Sequence, residues 1–236
     1  MGEIAACLCM ACGGNHSKDY WGDTSGGEDE EPTENPNASK PRYIWIDAAA
    51  NFPDFANSKE NIARDLALAK DAGFTDIVVD VRPTTGDVLF KTNLVDQVKF
   101  MYAWIGSNYT KVERTATWDY LQAFVDEARK QGLRIHAAIN TFVGGNQIDG
   151  GTGLLYRDQS KAEWATQMNM QVGITSVMNT SESTKFFNPA HPEVQTFLCD
   201  LLKDLAGYDL DGIFLDRGRF LNLQADFSEE SRKQFE

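Results

Sequence analysis

Residues 211–220 read DGIFLDRGRF, a glycine and an apolar run that end in an acid and two arginines. The segment has the composition of a buried strand, and strand interiors normally avoid charge. Because successive side chains of a strand face opposite ways, Ile213 and Leu215 share one face, and Phe214 and Asp216 share the other. One face is therefore aliphatic, and the other carries a carboxylate at its C-terminal end.

Three earlier segments have the same alternation and are predicted to be strands: YIWID (43–47), TDIVVDVRP (75–83) and LRIHAAIN (133–140). Amphipathic helices are predicted over residues 58–74, 117–133 and 191–208. Ser58 and Thr117 are the expected N-caps of the first two helices, and Gly73 and Gly132 are the expected stops. Strands that alternate with helices predict βαβ units and a parallel sheet.

The two faces of this sheet differ in composition. The first face is aliphatic, with Ile44, Ile46, Ile77, Val79, Val81, Ile135, Ala137, Ile139, Ile213 and Leu215. The second collects polar residues toward the strand ends, with Trp45, Asp47, Asp80, Arg82, His136, Asn140, Phe214 and Asp216. An open doubly wound sheet lies under helices on both faces and should be apolar on both. The pattern instead favours a (β/α)₈ TIM barrel, whose inner face leads to a site at the C-terminal mouth.

Four strands make about half of such a barrel. The chain has 236 residues, of which 42% are hydrophobic, and a complete barrel usually needs about 250 in the barrel domain alone. Residues 42–236 are therefore predicted to be the N-terminal portion of a barrel domain. The final stretch, SEESRKQFE (228–236), is predicted to open a further helix.

The first 41 residues have a different composition. Residues 1–12 are short, apolar and rich in cysteine, and the sequence turns polar at Cys12. This pattern is typical of the end of a lipoprotein signal with Cys12 as the lipidated residue, whereas a zinc site at Cys7, Cys9 and Cys12 would need a fourth ligand. Residues 13–41 are predicted to be a disordered acidic tether. Any membrane contact is expected through this lipid anchor, because a membrane-spanning helix needs about 20 apolar residues.

The formal net charge of −13 argues against a nucleic-acid partner and favours a neutral substrate. No metal site is predicted, because the three histidines are scattered at positions 16, 136 and 191. No cofactor is predicted either, since the glycine-rich stretch 144–153 lacks the features of a phosphate-binding loop. The sequence also lacks the Gly-x-Ser-x-Gly elbow of serine hydrolases.

Asp216, at the mouth of the predicted barrel, is the candidate catalytic residue. An inward carboxylate there can act as a nucleophile, a general base or an electrostatic stabiliser. The alternative is an ion pair with Arg217 or Arg219, and spacing alone does not separate the two.

Candidate substrate-binding residues lie at the ends of the other strands. Arg82 is placed to bind a substrate oxygen, while Asp80, two residues earlier, is expected to form a buried ion pair with it. Asn140 could donate to a hydroxyl group, and His136, deeper in the strand, is expected to be a core histidine. Trp45 could stack on a sugar ring or belong to the core. The remaining binding candidates are Asp47 and Arg219.

The residues described above resemble the glycosyl-hydrolase-like 10 family, which is often found in bacterial envelope lipoproteins. The matching blocks lie within residues 42–236: RYIWID, AGFTDIVVDVRPTTGDVLF, GLRIHAAIN, FFNPAHPEVQTFLCDLLKDLAGYDLDGIFLDRGRF and ADFSEESRKQFE. The resemblance implies a TIM-barrel hydrolase acting on O-glycosidic bonds of a poly- or oligosaccharide.

By analogy with amylase-type barrels, the resemblance makes Asp216 the nucleophile, although those enzymes have an Arg where this chain has Phe214. Glycosidases normally use two carboxyl groups, and the second is expected from a later strand, which would leave this fragment inactive. The alternative is a non-catalytic glycan-binding surface lipoprotein. The expected location is the bacterial cell envelope through a lipid anchor, or the medium after secretion.

Overall fold

The structure is a computed structural model that describes residues 40–236. The predicted lipidation site, Cys12, lies outside the described residues, and so does the predicted acidic tether except for its last two residues. The sheet and helices begin just after this boundary, at Tyr43.

In chain order the elements are β1 (Tyr43–Ile46), α1 (Phe52–Phe55), α2 (Lys59–Asp71), β2 (Asp76–Arg82), β3 (Phe100–Ile105), β4 (Asn108–Glu113), α3 (Tyr120–Gln131), β5 (Arg134–Asn140), β6 (Val143–Asn146), α4 (Leu154–Arg157), β7 (Gln167–Met170), β8 (Gly173–Ser176), β9 (Thr184–Phe186), α5 (Pro192–Leu205), β10 (Gly212–Asp216) and α6 (Glu229–Phe235).

The predicted parallel sheet is confirmed. Strands β1, β2, β5 and β10 pair in that order, and all three pairings are parallel. Each strand therefore lies beside the next one in the α/β alternation, and all four C-terminal ends meet at one edge. This edge is where the sequence placed its candidate site.

Helix ends follow local capping chemistry, with one difference from the prediction. The Ser58 hydroxyl accepts the Asn61 N–H and caps α2, as expected. Helix α3 begins at Tyr120 and not at Thr117, because the Asp119 carboxylate takes the capping role and accepts the Gln122 N–H at 3.2 Å. Gly132 ends α3 in the left-handed conformation, with φ 65°.

The main core lies between the aliphatic face of the sheet and the helices. Ile77, Val79, Ile135 and Ala137 from the two central strands are fully buried there. Helices α2, α3 and α5 contribute their apolar faces to the same cluster, through residues such as Leu66, Phe124 and Leu201. The opposite face carries Trp45, His136 and Phe214, and the rings of Trp45 and His136 both pack edge to face against Phe214.

A β-bulge in β2 breaks the regular alternation. Asp80 pairs with Ala138 of β5, but the next pairing joins Arg82 to Ile139, so Val81 is an extra residue. Paired residues share a face of a sheet, and a one-residue shift moves later side chains to the other face. Arg82 therefore does not share a face with Asp80, contrary to the prediction from strict alternation.

Three two-stranded antiparallel ribbons are inserted between the main elements. β3 pairs with β4, β6 with β9, and β7 with β8. Ahead of β7, the chain forms a short 3₁₀ helix over Gln159–Trp164. Across residues 40–236, no helix has the length and apolar character needed to cross a membrane.

Candidate functional site

A cavity of about 160 Å³ opens at the C-terminal edge of the parallel sheet. Its lining includes Trp45 and Asp47 from the end of β1, Asp80 from β2, Asn140 from β5, and Asp216 from β10. Four neighbouring strands thus converge on one cavity, as the sequence predicted for the strand ends. Three of these lining side chains are carboxyl groups.

Asp216 and Asn140 lie side by side at this edge. They are paired residues in the β5–β10 register, and the Thr141 N–H donates to the Asp216 carbonyl at 2.7 Å. One carboxylate oxygen of Asp216 accepts the N–H of Arg217 at 2.7 Å. Within residues 40–236, Asp216 forms an ion pair with neither Arg217 nor Arg219, so the alternative role considered for Asp216 is not the arrangement found.

Of the two arginines after β10, Arg217 lines the cavity. It adopts φ 47°, a left-handed conformation that is uncommon for a side chain of this size. Arg219, the predicted substrate-binding residue, is exposed and donates to the carbonyls of Phe220 and Leu221. The structure therefore brings Arg217, which the sequence reasoning did not select, to the place predicted for Arg219.

Asp47 has a local structural role as well as a place in the cavity. Its Oδ1 accepts the N–H groups of Ala49 and Ala50, at 2.8 and 2.7 Å. These bonds hold the turn that leads from β1 into α1. Asp47 is exposed to solvent.

Trp45 is the aromatic member of the cavity. Its side chain is 46% exposed and contacts the Phe214 ring edge to face, with the ring centroids 5.7 Å apart. Because nearly half of the indole is free, Trp45 is an available stacking surface and not a core tryptophan.

Arg82 does not line the cavity, and its predicted role as a substrate ligand is corrected by its surroundings. The guanidinium has 0% exposure and donates to the main-chain carbonyls of Asn140, Thr141 and Val143. In return, Asn140 Nδ2 donates to the Arg82 carbonyl at 2.9 Å. Burial lowers the pKa of Arg82 to about 10, so the side chain remains protonated at neutral pH. Arg82 thus fixes the backbone that follows β5.

Asp80 was predicted to be the ion-pair partner of Arg82, and this is wrong. The Asp80 carboxylate accepts the backbone N–H of Arg82 at 3.2 Å, while the guanidinium binds the carbonyls named above. Asp80 is buried, with 8% exposure, and lines the cavity. Burial, followed by the charges of Asp47 and Asp216, raises the pKa of Asp80 to about 7.

His136 lies at the opposite end of the same face, as expected for a core histidine. Its Nε2 is 2.9 Å from the Asp76 carboxylate, which also accepts two hydrogen bonds from Arg134 at 2.7 Å. Hydrogen bonds hold the pKa of Asp76 far below its ordinary value. The bonds from Arg134 have the largest effect, followed by those from Thr75 and His136. This cluster stabilises the N-terminal edge of the sheet, away from the cavity.

The remaining site from the sequence analysis is the lipidated cysteine. Cys12 lies outside the described residues, so its lipidation stays a prediction. In the part of the chain from residue 40 onward, no group of three or more His, Cys, Asp or Glu side chains is arranged to hold a metal ion.

The fold and the cavity define a class: α/β proteins that gather carboxyl groups at the C-terminal ends of parallel strands, as glycoside hydrolases of the barrel type do. Within this class, the chain belongs to the glycosyl hydrolase-like 10 family, whose sequence model matches residues 40–233. The predicted family resemblance is confirmed.

The chain is also similar to an S-layer-related protein from Niallia circulans, with 31% identity over 199 residues. The match covers 82% of this chain and 12% of that protein. The chain thus spans a small part of this much longer relative.

Two solved structures share the fold. A hypothetical protein from Ruminiclostridium thermocellum ATCC 27405 aligns with a TM-score of 0.50 at 15% identity, covering 79% of this chain and 81% of that one. Alpha-L-fucosidase isoenzyme 2 from Paenibacillus thiaminolyticus aligns with a TM-score of 0.53 at 18% identity, covering 84% of this chain and 26% of that one. At these identities the likeness concerns the fold alone.

Proposed function

We propose that this chain carries the first half of a (β/α)₈-barrel glycoside hydrolase that cleaves O-glycosidic bonds of a poly- or oligosaccharide. Membership of the glycosyl hydrolase-like 10 family supports the reaction class. The parallel sheet with strands in sequential order, aliphatic on the face that packs into the core, supports the barrel.

One observation carries the proposal: three carboxyl groups from three different strands line one cavity at the carboxyl edge of the sheet. Hydrolysis of a glycosidic bond needs two carboxyl groups with different protonation states. Asp216 takes the role of nucleophile, since it is exposed at the mouth of the cavity. Trp45 stacks on a sugar ring, and Asn140 and Asp47 form the polar wall beside it.

The proposal is tested with the purified 236-residue chain on a panel of p-nitrophenyl glycosides and bacterial and plant polysaccharides. The expected result is release of nitrophenol or reducing ends by the wild type, and a loss of at least about 10³-fold in Asp216→Asn. Asp54→Asn, which changes an exposed acid in the first turn of α1, is the matched control and should retain full activity. Absence of hydrolysis across the panel would contradict the proposal.

A second candidate function is glycan binding without cleavage. The outer face of the β3–β4 hairpin favours it, because Trp104 and Tyr109 are 68% and 57% exposed and their ring centroids lie 5.3 Å apart. Exposed aromatic rings can stack on sugar rings, because a sugar ring has an apolar face and a polar edge. If the wild-type protein binds polysaccharide but releases no reducing ends, glycan binding is favoured over hydrolysis.

We further propose that the protein is held at the bacterial envelope by a lipid on Cys12. The apolar residues before Cys12 and the polar, acidic stretch after it support this. Expression in a bacterial host and fractionation test it: the wild type should sediment with membranes, Cys12→Ser should be soluble, and Cys199→Ser should behave as the wild type. Equal fractionation of Cys12→Ser and the wild type would contradict the anchor.

A further inference from the structure

We propose that Asp80 is the proton donor of this site, and that the β-bulge at Val81 makes that role available to it. This inference rests on the proposed hydrolytic function. It also replaces the expectation that the second carboxyl group must come from a strand beyond Glu236.

Asp80 is buried inside the cavity that Asp216 also lines, with 8% exposure. The backbone N–H of Arg82 donates to its carboxyl group at 3.2 Å. This bond orients the carboxyl group, as a proton donor requires, although it also lowers the pKa of Asp80 and so works against burial.

The β-bulge keeps the Arg82 guanidinium away from Asp80. In a regular strand, the side chain two residues after Asp80 would lie on the same face and place a guanidinium beside the carboxylate. The extra residue at Val81 pairs Arg82 with Ile139 instead. Three main-chain carbonyls then occupy the guanidinium. Asp80 is thereby left without the arginine that would keep it ionised.

Charged and titratable groups from β2 itself, from α3, from β10 and from the segments after β1 and β10 surround Asp80. They are Asp47 after β1, Arg82 on its own strand, Tyr120 on α3, Asp216 on β10 and Arg217 after β10. Asp47 and Asp216 both oppose ionisation of Asp80, and burial opposes it most strongly. The buried Tyr120 hydroxyl, whose pKa is raised by burial, stays neutral and adds no charge. The net result is a pKa of about 7, so a large share of Asp80 still holds its proton at neutral pH.

The other two carboxyl groups differ from Asp80 in their exposure. Asp47 and Asp216 are both exposed to solvent, whereas Asp80 is buried. The cavity therefore holds one buried carboxyl group and two solvated ones. Such a division is the usual way in which one site holds both an acid and a nucleophile.

Hydrolysis then proceeds in two steps. The O–H of Asp80 gives its proton to the glycosidic oxygen while the bond from that oxygen to the anomeric carbon breaks, and the leaving group departs as an alcohol. A carboxylate oxygen of Asp216 forms the new bond to the anomeric carbon. In the second step, water attacks that carbon, the ionised Asp80 takes the proton of the water, and the Asp216 carboxylate is released.

The first test compares leaving groups. An oligosaccharide leaves as a poor alcohol and needs the proton, whereas p-nitrophenol leaves without help. Asp80→Asn should therefore lose about 10²–10⁴-fold in kcat/KM on oligosaccharides, and on the order of 10-fold or less on the p-nitrophenyl glycoside. Sodium azide should accelerate Asp80→Asn on the aryl substrate and yield a glycosyl azide, because azide needs no general base.

The second test measures protonation without any substrate. The carboxyl carbon of Asp80, assigned in ¹³C-aspartate-labelled protein by its absence in Asp80→Asn, should titrate near pH 7. Asp47→Asn removes one of the negative charges and should move this titration to lower pH, together with the alkaline limb of the rate profile.

The outcomes separate the two proposals. If the wild type hydrolyses glycans but Asp80→Asn slows both substrates equally, or Asp80 titrates near pH 4, the proton-donor role is overturned and the proposed function stands. If the wild type hydrolyses nothing on the panel, both are overturned. Selective loss on the oligosaccharide, with titration near pH 7, supports the proton donor.

Discussion

The backbone N–H of Arg82 donates a hydrogen bond to the Asp80 carboxyl group at 3.2 Å, while the Arg82 guanidinium binds the carbonyls of the chain after β5. Arg82 thus stabilises two neighbouring parts of the site, the Asp80 carboxyl group and the segment that follows β5. Its main chain orients an acid that lines the cavity, and its side chain holds the segment that carries Asn140. The bulge at Val81 allows both, because it separates the direction of the side chain from that of Asp80.

Replacing Arg82 should destabilise the fold strongly. Arg82→Met keeps much of the side-chain volume but leaves three carbonyls, those of Asn140, Thr141 and Val143, without their donor. Each buried unsatisfied acceptor costs about 1–3 kcal/mol, so we expect a loss of about 3 kcal/mol or more in the free energy of unfolding by urea denaturation at pH 7. Arg219→Met, at an exposed arginine, should change it by less than about 0.5 kcal/mol. Equal stabilities of the two variants would contradict this role.

Asp80 should make the protein less stable as the pH rises. Its pKa is about 7 in the folded protein and about 3.9 in an unfolded chain. Between these values the folded state holds a proton that the unfolded state has lost, so stability falls from about pH 4 to about pH 7 and then levels off. Asp80→Asn removes this dependence. The free energy of unfolding of Asp80→Asn, relative to that of the wild type, should therefore increase by a few kcal/mol between pH 4 and pH 8. Each unit of difference between the folded and unfolded pKa contributes about 1.4 kcal/mol.

Thermal and urea denaturation at several pH values would check this prediction. A constant difference between Asp80→Asn and the wild type across that range would show that Asp80 is ionised throughout. The prediction also has a functional meaning, because the variant should gain stability at pH 8 while it loses activity on oligosaccharides. Such opposition is typical of residues kept for function at a cost in stability.

Asp76, at the other end of β2, should show the opposite sign. Arg134, then Thr75 and His136, lower its pKa in the folded protein. Its stabilising contribution is therefore complete above the unfolded pKa of about 3.9 and is lost as the pH falls through the lower folded value. Asp76→Asn should cost about 2–3 kcal/mol at pH 7, and the difference from the wild type should shrink toward pH 2.

Because Asp76 lies far from the cavity, Asp76→Asn should retain wild-type activity per folded molecule. It is thus a control for Asp80→Asn on the same strand. A large loss of kcat in folded Asp76→Asn, checked at a temperature where both proteins are native, would contradict the assignment of Asp76 to structure alone.

The sequence predicted the sheet well because period-two alternation is a property of each strand by itself. It placed Trp45, Asp47, Asn140 and Asp216 at one edge, and the structure brings all four to one cavity. Once parallel strands are known to be neighbours in sequential order, their C-terminal ends must meet at one edge, so no further long-range information is needed to bring these residues together. The family followed from the same blocks of sequence and is confirmed.

The bulge could not be predicted in this way. Val81 is an ordinary strand residue, and the extra residue becomes visible only in the pairing of β2 with β5. Strict alternation placed Asp80 on the cavity face correctly, but it put Arg82 on the same face and so predicted an ion pair that the structure does not contain. The β3–β4 hairpin did leave a local signal, since Gly106 and Ser107 form a two-residue turn with Gly106 at φ 61°.

Trp45 should contribute to substrate binding and little to stability, because nearly half of its side chain is exposed. Trp45→Ala should raise KM for an oligosaccharide by about 10-fold, equivalent to a loss of about 1.4 kcal/mol. The free energy of unfolding should change by about 1 kcal/mol or less, since only the edge contact with Phe214 is lost. Phe235→Ala, at an exposed aromatic residue of α6, is the control. An equal change in KM in both variants would contradict a specific role for Trp45.

Gly153 should be more sensitive to substitution than Gly150, although both have a positive φ, of 80° and 84°. A Cβ on Gly153 would lie 2.5 Å from the Cα of Gly145 and 2.7 Å from the carbonyl oxygen of Thr85, whereas nothing lies within 4 Å of a Cβ on Gly150. Gly150→Ala therefore measures the backbone strain alone, about 1 kcal/mol. Gly153→Ala adds the overlap with two backbone segments and should cost about 3 kcal/mol or more.

The overlap at Gly153 should also affect the site. Thr85 follows Pro83 and Thr84, which both line the cavity, so a displaced Thr85 moves the wall beside Asp80. Gly153→Ala should therefore lower kcat/KM even in the folded fraction, while Gly150→Ala leaves it unchanged. Urea denaturation together with kinetics on the folded protein would separate the two effects. Normal kcat/KM in folded Gly153→Ala would show that this packing supports stability and not the geometry of the cavity.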